Sequence, residues 1–144
     1  MSCFFCEHPE EFEHLKIKEF KFWVAHLAPN QSYLGWCDVS LNRHLEDIFE
    51  IKSEEAEELS EIVGTLKKAI KESFSNDIFN YTSLGNRGRH VHLHVVPRYS
   101  KPVEFAGKEF MDARWGRNYS PYDKSFSLPG QLVESIKKLI QENL

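Results

Sequence analysis

The stretch His90-Val91-His92-Leu93-His94-Val95-Val96 contains a histidine at every second position up to His94. Alternate side chains of a β-strand point to opposite faces, so this spacing predicts three imidazoles on one face and branched apolar side chains on the other. The apolar face is expected to pack on a core, and Pro97 is expected to close the strand. Three histidines in a row have no packing reason, and we interpret them as a functional site.

The spacing of the three histidines limits what one metal ion could bind. A regular strand rises by about 3.3 Å per residue, so the Cα atoms of His90 and His94 would lie about 13 Å apart. Zinc–nitrogen bonds are about 2.0–2.1 Å long, so one ion could be chelated by neighbours such as His90 and His92, but not by all three. At least one imidazole is left for another task, and a neutral imidazole is a good nucleophile and acid–base group near pH 7.

Basic residues surround this row, although the chain as a whole is acidic. The protein has 144 residues and a formal net charge of −4, which argues against a general nucleic-acid binder. Five of its six arginines nevertheless lie between Gly85 and Arg117, with two lysines and only three acidic residues. Because arginine suits bidentate contact with phosphate, this stretch is either a solvated basic loop or a pocket for a small anion. Beside a nucleophilic imidazole, the natural target is a phosphorus atom.

Length and composition predict one ordered domain over residues 1–144. Nineteen aromatic residues are too many for a disordered tail, and no run of apolar residues is long enough to cross a membrane. The first residues lack the basic start and apolar run of a secretory signal, so a cytoplasmic location without a membrane partner is expected. Residues 100–144 are predicted to form an irregular wrap up to Pro129 and then a final helix.

Hydrophobic periodicity predicts an α+β fold, with an antiparallel sheet of about five strands and two principal helices on one face. One helix is expected from an N-cap at Ser53 to Phe74, and the other from about Pro129-Gly130 to the end of the chain. A short helical piece is expected after Arg43-His44. The predicted strands are 15–20, 22–27, 35–41, 78–84 and 90–96. Because only five residues, two of them glycines, link the last two strands, these are predicted to form a hairpin.

The chain contains three cysteines, Cys3, Cys6 and Cys37. An odd number without a secretory signal indicates reduced thiols rather than a disulfide framework. The C-x-x-C spacing of Cys3 and Cys6 is typical of metal or redox chemistry, and the alternative is a free thiol pair near the terminus. Cys37 lies in a predicted strand and is expected to be a small buried residue.

The row from His90 to Val96 resembles, at every position, the signature of the histidine triad (HIT) family of nucleotide hydrolases and transferases. Other parts of residues 3–99 agree with this resemblance, which is closest to the diadenosine tetraphosphate hydrolase-like branch with an N-terminal zinc-binding cysteine pair. The agreeing segments are Cys3-Phe4-Phe5-Cys6, the strand from Gly35 to Arg43-His44, Asn80 to Asn86, and Val96-Pro97-Arg98-Tyr99. The chain departs from many relatives at Trp36 and in the loop 85–89, which affects the expected choice of substrate more than the mechanism.

The resemblance implies roles for individual residues. The middle histidine, His92, would attack the α-phosphorus of a nucleotide and form a nucleotidyl-histidine that water then hydrolyses. His94 would hydrogen-bond phosphate oxygens and stabilise developing charge. The residues expected to contact substrate are Asn80, Asn86, Asn30, Gln31 and Arg98. Dinucleoside polyphosphates are the expected substrates, and nucleoside phosphoramidates or transfer to another acceptor are the alternatives within the family.

The same resemblance implies a structural Zn²⁺ held by Cys3, Cys6, His44 and His90, and a homodimer. Four protein ligands close the coordination sphere, so such an ion would support the fold rather than react. Two hypotheses from other functional classes remain open at this stage. One is a purine-nucleotide binding module with an inactive triad, and the other is a metalloenzyme that uses His90 and His92 as ligands. The remaining histidines, His8, His14 and His26, have no pattern and are expected to be surface or packing residues.

Overall fold

The computed structural model describes residues 3–144 and contains a five-stranded antiparallel sheet in the order β1-β2-β3-β5-β4. The strands of this sheet are β1 (Lys16–Glu19), β2 (Trp23–Leu27), β3 (Cys37–Leu41), β4 (Ile78–Thr82) and β5 (His92–Arg98). A short helix α1 (Phe4–Glu7), a long helix α2 (Ser53–Phe74) and a final helix α3 (Gly130–Asn143) complete the main elements. A single turn of 3₁₀-helix covers Ile48–Glu50, and a longer 3₁₀-helix covers Pro9–Leu15. The predicted α+β fold class is confirmed.

The main core lies between the sheet and the two long helices. It contains Val39, Val91 and Val95 from the sheet together with Ile70 of α2 and Ile136 of α3. Val91 and Val95 therefore face the core, as the alternation in the histidine row predicted. A second, smaller cluster of buried residues lies apart from it and contains Ala28, Tyr33, Trp36, Val96 and Tyr119. Alternation along β5 gives Val96 the same face as His92 and His94, so the histidines share the side of the sheet that the long helices leave free.

The histidine strand starts two residues later than predicted, because the backbone of Val91 bonds outside the regular ladder. The N–H of Val91 donates to the carbonyl of Leu45, and the N–H of Leu41 donates to the carbonyl of Val91. The antiparallel pairing of β4 with β5 is confirmed, with Thr82 opposite His94, but the connecting loop is longer than the five residues predicted. Pro97 does not close the strand, which continues to Arg98.

Helix α2 begins at Ser53, so Ser53 is its first residue and not the N-cap that the sequence predicted. The N-cap position belongs to Lys52, and the backbone N–H of Lys52 donates to the Glu55 carboxylate at 2.8 Å. Glu55 is buried, and its carboxylate also receives a bidentate contact from Arg43 at 2.8 and 2.9 Å. A carboxylate inside the first turn therefore satisfies the N–H of the N-cap residue, whereas the expected serine hydroxyl would have accepted an N–H of the first turn.

The prediction of an irregular segment between residues 100 and 129 is wrong over its first part. A hairpin joins β6 (Val103–Phe105) and β7 (Lys108–Phe110) through Ala106 and Gly107, which both have positive φ, 51° and 80°. Positive φ at both central residues is the geometry of a tight hairpin turn, but Ala-Gly is a weaker signal for it than Asn-Gly. Among residues 3–144, no helix has the length and apolar composition needed to cross a lipid bilayer.

Candidate active site and metal centre

His92 and His94 project from the first part of β5 into two cavities that meet at their rings. The rings lie edge to face, with centroids 4.8 Å apart. One cavity, which we call the apolar pocket, has a volume of about 240 Å³. The other, which we call the polar cleft, has a volume of about 620 Å³. A molecule bound across the junction would therefore present its middle to both imidazoles.

The tautomer of His92 is defined by a backbone contact. Its Nδ1 lies 2.7 Å from the carbonyl oxygen of His90, so Nδ1 carries the hydrogen and donates it. The other ring nitrogen, Nε2, then bears the lone pair and has no hydrogen-bond partner within the described part of the chain. An imidazole held in this way is prepared to act as a nucleophile at Nε2.

His94 is oriented by a carboxylate rather than by the backbone. Its Nδ1 lies 2.5 Å from Oδ1 of Asp38, the residue directly opposite it on β3. The indole of Trp36 packs edge-on against the His94 ring, with centroids 5.6 Å apart. Nδ1 of His94 therefore also carries a hydrogen, which leaves Nε2 available to the cavities. Asp38 has no signal in the sequence, because only the register of β3 against β5 pairs it with a histidine.

Three aromatic side chains from the N-terminal segment, Phe4, Phe5 and Phe12, form one part of the apolar pocket. The sheet supplies its polar groups from His26, Asp38 and Ser40. His26 packs edge-on against the rings of Phe5 and Phe12, and burial lowers the pKa of its imidazole. His26 was expected to be a surface or packing residue, and the structure makes it part of the pocket wall. Flat aromatic walls with a few polar groups suit a planar heterocycle such as a nucleobase.

The polar cleft lies on the other side of the two histidines. The loop that precedes the histidine row lines it with residues that include Gly85, Asn86 and Arg87. A second part of the lining comes from Tyr119, Ser120, Tyr122 and Lys124, which no sequence pattern connected with the site. Because this part belongs to a segment without periodicity, no local pattern could have predicted that it meets the histidines.

Four metal-binding side chains converge beside the apolar pocket. The ligand atoms of Cys3, Cys6, His44 and His90 all lie within 4.8 Å of one another. Nδ1 of His90 is 3.4 Å from each of the two Sγ atoms and 3.3 Å from Nδ1 of His44. A tetrahedral zinc site with normal bond lengths has S···N edges of about 3.6 Å and N···N edges of about 3.3 Å. The four residues therefore fit a tetrahedral metal ion such as Zn²⁺.

The environment of His90 prepares it to be a metal ligand. Its Nε2 lies 2.6 Å from the carbonyl oxygen of Leu41, so Nε2 donates and Nδ1 keeps the lone pair that faces the thiols. Burial also lowers the pKa of His90, which favours the neutral ring that a metal requires. Both ring nitrogens of His90 are engaged, Nε2 at the Leu41 carbonyl and Nδ1 at the two thiols, and Nδ1 of His92 is held by the His90 carbonyl. The two rings therefore do not form a chelating pair. The hypothesis of a metalloenzyme with those two ligands loses its geometric basis.

Comparison with known proteins identifies the family. A family model described as the HIT domain matches residues 10–101, well over half of the chain. The chain belongs to the HIT family. Members of this family are nucleotide hydrolases or transferases. Cys3 and Cys6 lie outside the matched residues, so the metal cluster joins the HIT domain to the segment that precedes it.

Individual relatives support the fold of this HIT protein. Protein hit of Bacillus subtilis (strain 168) is 27% identical over 108 residues, which cover 69% of this chain and 73% of that protein. A hypothetical histidine triad nucleotide-binding protein from Sulfolobus tokodaii strain7 is 20% identical, with a TM-score of 0.76 over 98% of this chain and 91% of that chain. A Zn-bound histidine triad family protein from Mycobacterium smegmatis is 19% identical, with a TM-score of 0.62 over 99% and 97% of the two chains.

The five residues that the resemblance suggested as substrate contacts divide into two groups. Asn30 and Asn86 line the polar cleft. Gln31 is buried, and its amide closes the turn before β3 through contacts with the carbonyls of Ala28 and Trp36. The side chain of Asn80 accepts a hydrogen bond from Arg98 at 2.7 Å. The structure thus brings two of the five residues to the histidines.

Arg98, which the resemblance suggested as a substrate contact, has its guanidinium engaged within the fold of this HIT protein. Its side chain is buried, and the guanidinium forms a bidentate ion pair with Asp112 at 2.7 and 3.1 Å. Its remaining contacts go to Asn80 and to the carbonyl oxygens of Arg114 and Arg117. These partners occupy the N–H donors of the guanidinium, so none is left for an anion. Arg98 instead holds the segment after β7 against the sheet.

Proposed function

We propose that this HIT protein hydrolyses dinucleoside polyphosphates by attack of His92 on the α-phosphorus. The proposal rests most directly on one observation, the hydrogen bond from His92 Nδ1 to the His90 carbonyl at 2.7 Å. That bond leaves Nε2 nucleophilic where an apolar pocket and a polar cleft meet. The apolar pocket would hold the nucleoside that is transferred, and the cleft would receive the leaving group.

The first step transfers the nucleotidyl group to His92. The lone pair of Nε2 forms a bond to the α-phosphorus, and the bond from that phosphorus to the bridging oxygen breaks. The leaving nucleoside polyphosphate departs with the electron pair of that bond. The ring of His92 now carries a positive charge, which the Nδ1 hydrogen bond to the His90 carbonyl stabilises.

The second step releases the nucleotide and restores the enzyme. Water attacks the α-phosphorus, the bond to Nε2 breaks, and its electron pair returns to His92. The resemblance implied that His94 hydrogen-bonds phosphate oxygens, but with its hydrogen on Nδ1 we assign it the role of proton acceptor. The attacking water loses a proton to Nε2 of His94, and the Asp38 carboxylate at Nδ1 stabilises the imidazolium that forms. That proton then passes to solvent. The products are a nucleoside monophosphate and the remaining nucleoside polyphosphate.

A zinc ion bound to Cys3, Cys6, His44 and His90 would supply structural support rather than chemistry. Four protein ligands leave no open coordination position for water or substrate. His90 is joined through its backbone carbonyl to the His92 ring, so an ion at this cluster would also hold the nucleophile's hydrogen-bond acceptor in position. By the same family resemblance we propose that the chain forms a homodimer, which sedimentation equilibrium would test.

The experiment that tests this function follows covalent modification and turnover in the same samples. The protein is mixed with diadenosine tetraphosphate, quenched at successive times and examined by intact-protein mass spectrometry and product chromatography. Wild type is expected to gain the mass of one adenylyl group and to release AMP. His92→Ala is expected to do neither. His14→Ala serves as a matched control, because His14 is exposed and lines neither the apolar pocket nor the polar cleft.

The results distinguish the proposed reaction from its alternatives. Turnover by His92→Ala at the wild-type rate would refute the mechanism. Nucleotide binding without an adduct or turnover in wild type would show a binding module instead. Faster turnover of adenosine 5′-phosphoramidate than of diadenosine tetraphosphate would assign the enzyme to phosphoramidate hydrolysis. An adduct that passes to an added acceptor faster than to water would make the protein a transferase.

A further inference from the structure

The polar cleft has a cationic and aromatic lining that the chemistry at the α-phosphorus does not use. We propose that the cleft binds the leaving half of the substrate, with Arg87 and Lys124 on its polyphosphate and Tyr122 against its second nucleobase. This inference rests on the proposed function. Binding of the leaving half in the cleft would explain why the enzyme prefers dinucleoside polyphosphates. The volume of about 620 Å³ is in the range of small-molecule sites and exceeds that of the apolar pocket.

The charges along the cleft suit a polyanion. Arg87 and Lys124 line it, and no aspartate or glutamate is among its described lining residues. Burial raises the pKa of the Tyr122 phenol, so this side chain is neutral and does not oppose phosphate. The neighbouring Arg89 differs, because it lies 4.0 Å from Glu46 and does not line the cleft. Arg87 and Arg89 belong to the same loop, but only Arg87 lines the cleft.

Tyr119 and Tyr122 form an aromatic platform in the lining of the cleft. The rings of Tyr119 and Tyr122 are nearly parallel, with centroids 6.2 Å apart and an interplanar angle of 13°. Trp36 packs perpendicular to Tyr122 at 4.9 Å between centroids. Tyr122 is only partly buried, so part of its ring remains available for stacking. Aromatic faces of this kind stack with any base, which suits a leaving nucleoside whose identity the chemistry does not require.

Hydrogen bonds to the sheet side of the molecule hold this platform in place. The hydroxyl groups of Tyr119 and Thr82 are 3.0 Å apart, and the hydroxyl of Tyr33 donates to the carbonyl of Tyr119 at 2.6 Å. The amide of Asn30 donates to the carbonyl of Asp123 at 2.8 Å. Because these contacts come from β4 and from the turn before β3, the platform is positioned before any ligand binds.

The reaction itself directs the leaving group away from His92. Attack of Nε2 forms the phosphorus–nitrogen bond, and the bridging oxygen leaves with its electron pair from the opposite side of the phosphorus. When the nucleoside of the transferred half occupies the apolar pocket, the cleft offers a second cavity that reaches His92 and His94. The departing polyphosphate would therefore pass directly to Arg87 and Lys124.

The test compares two substrates that transfer the same adenylyl group but differ in leaving group. Diadenosine tetraphosphate loses ATP, whereas adenosine 5′-phosphoramidate loses only ammonia. Arg87→Ala/Lys124→Ala is expected to lower the ratio of kcat/KM for the first substrate to that for the second by about tenfold or more, because charge-assisted contacts to phosphate are lost. Arg89→Ala, the matched control, is expected to leave this ratio unchanged. An unchanged ratio in the double variant would overturn the proposal.

The second nucleobase is tested separately with Tyr122→Leu and Tyr122→Phe. The leucine variant is expected to lower kcat/KM for diadenosine tetraphosphate by about tenfold, with no comparable loss for adenosine 5′-tetraphosphate, which has no second base. The phenylalanine variant keeps the ring and is expected to retain the wild-type ratio. Equal losses on both substrates for Tyr122→Leu would overturn the stacking role.

Direct binding separates failure of the cleft from failure of the proposed function. Inorganic tripolyphosphate has no base and is titrated calorimetrically into wild type, Arg87→Ala/Lys124→Ala and Arg89→Ala. If wild type hydrolyses neither nucleotide but binds tripolyphosphate, and only the double variant loses that binding, the hydrolase function fails and the anion site stands. Equal tripolyphosphate binding by all three proteins, or none by wild type, would overturn the site whatever the activity.

Discussion

His92 and His94 donate their Nδ1 hydrogens to acceptors of different charge. His92 donates to the neutral carbonyl of His90, whereas His94 donates to the carboxylate of Asp38. A neutral acceptor orients a ring with a small electrostatic effect, but a carboxylate also stabilises a positive charge on the ring. This difference fits a nucleophile at His92 and a proton acceptor at His94, two roles that a row of identical residues does not distinguish.

Asp38→Asn is expected to lower kcat for diadenosine tetraphosphate by roughly 10- to 100-fold, because the variant orients His94 but does not stabilise its imidazolium. KM is expected to fall together with kcat, because slower release lets the covalent intermediate accumulate, so kcat/KM is expected to change little. The adenylyl adduct is expected to accumulate, because release requires the proton acceptor. Rapid-quench kinetics with intact-mass detection measures both steps, and Asp38→Glu should partly restore turnover. A slower first step without adduct accumulation would contradict this role.

Arg98 shows how burial decides the role of a charged residue. Its guanidinium contacts Asp112, Asn80 and two backbone carbonyls, and its Cζ lies 5.1 Å from the ring centroid of Tyr33. A buried charge of this kind is compensated completely or it destabilises the fold strongly. Arg98 therefore stabilises the segment that forms the cleft wall and affects substrate binding only through that segment.

At the level of elements, the start of α2 is held by a single buried carboxylate. Glu55 accepts the backbone N–H of Lys52 and a bidentate contact from Arg43, and its own carbonyl accepts the indole N–H of Trp23 at 2.8 Å. The side-chain hydrogen bond from Arg43 is the largest influence that lowers the pKa of Glu55 to about 2. The end of β3 and the start of α2 are joined at this residue.

The lowered pKa of Glu55 predicts a specific loss of stability in acid. A carboxylate whose pKa is lower in the folded state contributes stability above its unfolded pKa of about 4.3, and loses it as the pH falls toward about 2. At pH 7 Glu55→Gln is expected to reduce the free energy of unfolding by about 2 kcal/mol. Urea denaturation at pH 7 and pH 3 should show this difference shrinking by about half or more at pH 3.

The matched control for this measurement is Glu54→Gln, because Glu54 is the exposed neighbour in the same helical turn. It is expected to change the free energy of unfolding by less than about 0.5 kcal/mol at both pH values. Protonation of the metal-binding residues affects wild type, Glu55→Gln and Glu54→Gln alike. The differences in their free energies of unfolding therefore report on Glu55 and Glu54 alone. A Glu55→Gln difference that stays constant from pH 7 to pH 3 would contradict the ionic role of this residue.

For the whole molecule, the metal cluster joins parts of the chain that are far apart in sequence. Cys3 directly precedes α1 and Cys6 lies within it, His44 follows β3, and His90 precedes β5. Helix α1 also contributes Phe4 and Phe5 to the apolar pocket. An ion at this cluster would therefore fix a pocket wall and the nucleophile's strand against each other.

Zinc binding is expected to stabilise the folded protein, with one ion per chain. Removal by a chelator under reducing conditions is expected to lower Tm by roughly 10 °C or more, with activity falling as the fold loosens. Cys6→Ser should lose the metal, as measured by atomic emission. Cys37→Ala should keep it, because Cys37 is buried in the core away from the cluster. A full zinc content in Cys6→Ser, or unchanged Tm after complete removal, would contradict a structural metal.

Much of the fold and the centre of the site could be predicted from local patterns. Period-two alternation indicated which face of β5 carries histidines, and helical periodicity located α2 and α3 to within a few residues. Resemblance supplied the four members of the metal cluster, which the structure brings within 4.8 Å. These features depend on spacing along the chain or on a family motif, and both are present in a linear sequence.

Other features depended on which distant segments meet, and only the tertiary structure decided them. The register of β3 against β5 pairs Asp38 with His94, and the packing of residues 111–124 gives Arg98 a carboxylate partner and the cleft an aromatic wall. Asp38, Asp112 and Tyr122 carry no periodic signal, because the partner of each is set by a long-range contact. The sequence by itself thus determined the fold class and the histidine row. Tertiary packing determined how each histidine is oriented and what surrounds it, since side chains far apart in the chain become neighbours only after the sheet has formed.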